Sequence, residues 1–80
     1  MNDSHLNELR LLGLTIAYDR KTRGITQVKL AEIFHSNRTH MSNIEASNSR
    51  TFISLNRLFD IAGALDIPAT NLLDFQNNNF

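Results

Sequence analysis

The chain has no cysteine, no tryptophan and a single proline. Without cysteine, neither a disulfide framework nor a thiolate zinc site can support the fold. Its apolar runs are only a few residues long, too short to span a bilayer. The opening MNDSHLNELR lacks the basic start and apolar core of a signal peptide. These absences point to a cytoplasmic protein, away from membranes and held together by helix packing. His5, His35 and His40 do not fall at metal-ligand spacing with nearby acids, so no metal site is read. No Ser/His/Asp set, glycine-rich phosphate loop or close carboxylate pair is present either. The expectation is a protein that is not an enzyme and needs no cofactor.

What is present is enough apolar material, 41% of 80 residues, for one small core in a single domain covering residues 1–80. Net charge is zero, which at first argues against a nucleic-acid partner, but the charge is segregated. Residues 1–19 balance to −2, residues 20–57 to +5 and residues 58–80 to −3, the last block without a single base. A basic middle between acidic flanks matters more for binding than the total does.

That basic block contains TQVKLAEIFHSNRTHMSNIE, residues 26–45. It reads as two short helices, about Gln27–Phe34 and Arg38–Glu45, each preceded by an N-cap residue, Thr26 and Asn37. The three or four residues between them suit helices crossing at a steep angle, as in a helix-turn-helix. There, one helix lies across a DNA backbone and the other enters the major groove. The second helix would bury Met41 and Ile44 and turn Arg38, Thr39, Ser42 and Asn43 outward. Such a polar face suits base edges, because Arg can bridge guanine, Asn can bridge adenine and a Thr methyl can touch thymine.

Around this motif the apolar spacing predicts three more helices. The first runs from about Ser4 to Arg23 on the stripe Leu6, Leu9, Leu12, Ile16 and Ala17, capped by Asp3 or Ser4 and ended by Gly24. Gly13 within it marks a close helix contact. Ser54 caps a fourth helix whose stripe is Leu55, Leu58, Ile61, Ala62 and Leu65. Pro68 fits the first turn of a short fifth helix with Leu72 and Leu73. The tail, residues 76–80, is expected to fray. Phe59, Ile67, Leu73 and Phe75 exceed what one small core needs. Either they fill it, or helices four and five form a homodimer surface, about residues 55–75, that sets two recognition helices one DNA turn apart.

Leu12-Gly13, Ile16, Arg20, Gly24, Thr26-Gln27, Leu30-Ala31, Ser42, Ile44-Glu45, Ile61-Ala62 and Ala64-Leu65 together resemble the Cro/repressor-type family. These are the XRE-like, lambda-repressor-like helix-turn-helix regulators. The resemblance implies an all-α, five-helix domain, with the helix-turn-helix formed by helices 2 and 3, that binds a double-stranded DNA operator as a symmetric dimer. It implies a phosphate contact from Gln27 and, from the following loop, Arg50. It places Arg38, Thr39 and Asn43 at base-reading positions with His40 nearby, and makes Arg20 and Glu45 a structural ion pair. Size and the run Asn37-Arg38-Thr39 followed by Met41-Ser42 look similar to restriction–modification controllers, though phage repressors and antitoxin partners share the fold. The chain departs from the family at His35, where glycine is usual in the turn, at Ser36, where a buried aliphatic is usual, and in the longer 46–53 loop.

Two readings follow. One is a sequence-specific transcriptional regulator on a partly palindromic operator. The other is a protein-interaction module, antitoxin-like or an adaptor subunit, that keeps the fold and works through a protein partner.

Overall fold

The computed structural model describes residues 5–33, 35–46 and 53–74. These form five helices: α1 (Leu6–Thr22), α2 (Gln27–Ile33), α3 (Arg38–Glu45), α4 (Leu55–Leu65) and α5 (Ala69–Leu72). The described residues contain no strand. α1 runs past α3, α4 and α5, while α2 rests on α3 and α4. The core lies between them, with Ile16, Leu30, Met41, Ile61, Leu65 and Leu72 fully enclosed.

Local chemistry explains where most helices begin. Thr26 Oγ1 accepts the Lys29 N–H at 3.0 Å, Asn37 Oδ1 accepts that of His40 at 2.9 Å, and Ser54 Oγ accepts that of Arg57 at 3.2 Å. Each bond satisfies one N–H that the helix itself leaves without a partner. Helix α1 starts at Leu6 behind His5, whose side chain makes no capping bond; Asp3 and Ser4, expected as its cap, lie outside the described residues. Pro68 is the residue before α5, with extended backbone, rather than its first helical residue.

Three helices end in the same way. After α1 the Ile25 N–H reaches the Arg20 carbonyl at 3.1 Å, after α2 the Ser36 N–H reaches Ala31 at 2.9 Å, and after α4 the Ile67 N–H reaches Ala62 at 3.0 Å. A second, shorter-range bond nests inside each, the Schellman arrangement that closes a helix around one left-handed residue. Those residues are Gly24, His35 and Asp66, with φ of 69°, 58° and 57°. Ile25 and Ile67 follow two of them and pack on the core; Ser36, after His35, offers no such apolar contact.

The expected stripes hold with exceptions at their ends. Leu12 and Ile16 of α1 are buried, whereas Leu6, Leu9 and Ala17 are half-buried. In α4, Leu58, Ile61, Ala62 and Leu65 are buried but Leu55 is 66% exposed. Leu55 is the first residue of its helix, one turn beyond the end of the core. Phe59 is also outside, 56% exposed, while Ile67 is packed against the core. Phe34 and Phe75 lie outside the described residues.

Candidate nucleic-acid interface

Arg38 to Glu45 form an eight-residue helix whose inward side carries Met41, Ile44 and Glu45, all buried. At 100° per residue, the direction opposite these three falls between Thr39 and Asn43. Both are exposed and they stand one turn apart. Arg38 and Ser42 lie on one flank of that ridge, Arg38 exposed and Ser42 half-buried, and His40 is half-buried on the other. The outward face of α3 is thus a row of hydrogen-bonding side chains of modest length, with one guanidinium at its N-terminal end.

Besides Met41 and Ile44 in the core, the helix is anchored through its last residue. Glu45 Oε2 accepts from Arg20 Nε at 2.6 Å and Oε1 from Arg20 Nη2 at 3.0 Å, a side-on, two-bond pairing that suits the planar guanidinium. Both side chains are under one-tenth exposed. The third guanidinium nitrogen, Nη1, donates to the Ile25 carbonyl at 2.7 Å, while the Arg20 carbonyl accepts the Ile25 N–H. Arg20 therefore holds both ends of Ile25, and so the turn that delivers α2. Gln27, the first residue of α2, closes the set: its Nε2 donates to Glu45 Oε1 at 2.9 Å. An ionised carboxylate only accepts, so the amide orientation of Gln27 is decided by its partner. Below this network, α1 approaches α3 closely at Gly13. A Cβ built there would press into the Ile44 carbonyl oxygen and come within 3.4 Å of Glu45 Cα.

The pairing changes the electrostatics of the surface. Arg20 and Glu45 cancel in the interior, and among the described residues the exposed cations of the basic block are Lys21 and Arg23 at the end of α1, Lys29 on α2 and Arg38 on α3. Arg23 is shared with Asp19 at 3.8 Å. Arg50 lies outside the described residues. Among the described residues no group of His and acidic side chains could hold a metal ion, and no helix is long and apolar enough to cross a membrane.

The family resemblance implies a phosphate contact for Gln27; its bond to Glu45 is a feature the sequence did not announce. The two are 18 positions apart, and only the crossing of α2 over the end of α3 brings them together. Glutamine in the first turn of one helix and glutamate in the last turn of the next were the available signal.

No family model matches the sequence, and neither does any curated protein. Solved structures do. The restriction–modification controller protein C.AhdI from Aeromonas hydrophila superposes with a TM-score of 0.77 at 26% identity, over 86% of this chain and 97% of that one. The hypothetical transcription factor NHTF from Neisseria superposes with a TM-score of 0.72 at 30% identity, over 85% of this chain and 77% of that one. The chain belongs to the Cro/repressor-type helix-turn-helix family. In this fold α2 and α3 are the helix-turn-helix. The turn at His35 and Ser36, the departures from the family pattern, is closed by the Ser36 N–H on the Ala31 carbonyl at 2.9 Å. His35 takes the left-handed backbone itself, which histidine tolerates better than most side chains.

Proposed function

We propose that this chain acts as a transcriptional regulator that occupies a partly palindromic, double-stranded DNA operator, with α3 in the major groove. The observation that carries the reading is the outward ridge of Thr39 and Asn43, flanked by Arg38, on a helix braced from behind by Arg20, Gln27 and Gly13. Arg38 and Asn43 would read base edges and Thr39 a methyl or a phosphate, with His40 beside them. Gln27 and Arg50 would contact phosphates and fix the register. The whole chain would work as a single cytoplasmic, non-enzymatic domain.

We further propose that it binds as a homodimer. Leu55, Phe59 and Leu73 of the α4–α5 region expose apolar surface, and a two-fold axis there would set the recognition helices about 34 Å apart, one turn of DNA. Similarity to C.AhdI supports a small controller-type regulator, governed by its own concentration or by a protein partner.

A protein-interaction role keeps one specific support. Val28 and Ile33 on α2 are about half exposed, on the helix that would otherwise face phosphates. Selection of random duplexes by the purified protein separates the readings. Recovery of a two-fold-symmetric site supports the regulator; no enrichment even at low salt, where phosphate attraction is strongest, moves the search to protein partners.

A further inference from the structure

We propose that Glu45 is a positioning residue for Gln27. By accepting one of its two side-chain N–H groups, Glu45 would fix which end of the amide the N-terminus of α2 offers to a DNA phosphate. The inference rests on the DNA-binding reading and adds to it a coupling between the phosphate anchor and the recognition helix.

Three observations carry it. Gln27 is half-buried at the start of α2, so part of its side chain faces solvent while its Nε2 lies 2.9 Å from Glu45 Oε1. Glu45 is itself immobilised by two bonds from the buried Arg20 guanidinium. A carboxylate has no proton to give, so only the NH₂ end of Gln27 can face it, and the reverse amide orientation would set two oxygens against each other. An untethered glutamine presents nitrogen or oxygen with equal ease, and oxygen repels a phosphate. Tethered as here, the amide keeps its plane, and its second N–H, about 120° from the first, remains as a donor. Since Glu45 closes α3, the phosphate anchor and the base-reading ridge of α3 are held to one rigid point. The geometry that sets their separation is present before DNA arrives, which lowers the ordering cost of binding.

The test is a double-mutant cycle of Gln27→Met and Glu45→Gln, titrated against the duplex that the wild type enriches. A charge-assisted bond lost at the anchor should weaken binding roughly tenfold for Gln27→Met in the wild-type background. It should weaken binding about half as much, roughly fivefold, where residue 45 is already glutamine, because an amide free to flip presents its nitrogen half of the time. Equal losses in both backgrounds overturn the proposal. A second readout needs neither DNA nor the Glu45→Gln variant, should that variant fail to fold. In NMR spectra of the free wild type, the two Gln27 side-chain amide protons should exchange with water at clearly different rates, the bonded one more slowly. Equal rates overturn the tether even if DNA binding is intact. Failure of the wild type to bind any duplex, with the amide protons unequal, overturns the DNA reading and the coupling to phosphate while locating the fault there.

Discussion

Gly13 lies so close beneath Ile44 that the α-carbon of one helix meets the carbonyl oxygen of the other with no room for a side chain between them. Its α-helix would ordinarily gain from alanine. Here the gain is reversed, because the obstructing atom belongs to the backbone of α3 and cannot rotate aside. Gly13→Ala is expected to destabilise the fold by about 1–3 kcal/mol, the usual cost of overpacking. Gly63 supplies the control, since a Cβ there meets nothing within 4 Å. Gly63→Ala is expected to stabilise by about 0.5–1 kcal/mol. Urea unfolding of both variants, read for opposite shifts in midpoint, checks the pair.

Removing Arg20 leaves Glu45 buried with, among the described residues, the Gln27 amide as its remaining side-chain donor. Arg20→Met should therefore cost about 3–5 kcal/mol, whereas a double replacement by apolar residues, Arg20→Met with Glu45→Leu, should recover much of it. Thermal unfolding of the single and double variants decides. A single variant as stable as the wild type would refute the view that this pair closes the α1–α3 contact.

His35 and Asp66 hold left-handed conformations that glycine adopts without strain. Glycine at either position should raise stability by about 0.5–1 kcal/mol, measured by chemical unfolding. His35→Gly should leave duplex affinity within about twofold, because the change repairs the turn without touching the α3 ridge.

Arg38→Ala and Asn43→Ala are each expected to lower specific affinity by about 1–3 kcal/mol and to relax preference at one operator position each. Competition binding against single-base operator variants reads this directly. Uniform weakening across all sequences would instead assign the side chain to phosphate.

Phe59→Glu should leave the fold intact, since the side chain is over half exposed, while shifting sedimentation from dimer to monomer and weakening operator binding. A wild type that sediments as a monomer at micromolar concentration, with and without DNA, sinks the dimer proposal.

Much of the architecture was legible because it is encoded locally. Thr26, Asn37 and Ser54 announce helix starts by side-chain chemistry within three residues, and the bounds of α3 follow from its cap and its buried pair Met41 and Ile44. Leu55 misled for a physical reason: periodicity reports the direction a side chain points, and cannot report that the core has ended one turn earlier. The Gln27–Glu45 bond was illegible on similar grounds, since it depends on how steeply two helices cross. The outward ridge of α3 could be read from its spacing, Gly13 from its cost inside a helix and the Arg20–Glu45 pair from the family resemblance, but the Gln27 bond behind the ridge could not be read.

The same carboxylate has a consequence for how the molecule opens. Glu45 and Arg20 together touch α1, the turn at Ile25, α2 and α3, so neither α1 nor α3 can detach without stranding charge, and α2 cannot leave without breaking the Gln27 bond to the same carboxylate. Slow amide exchange in α1, α2 and α3 should therefore report one shared opening event, with a common free energy close to that of global unfolding. The four-residue α5 is held inward by the apolar side chain of Leu72, whose release strands no charge. Its amides should exchange at lower cost and more often, beside a helix-turn-helix that stays shut.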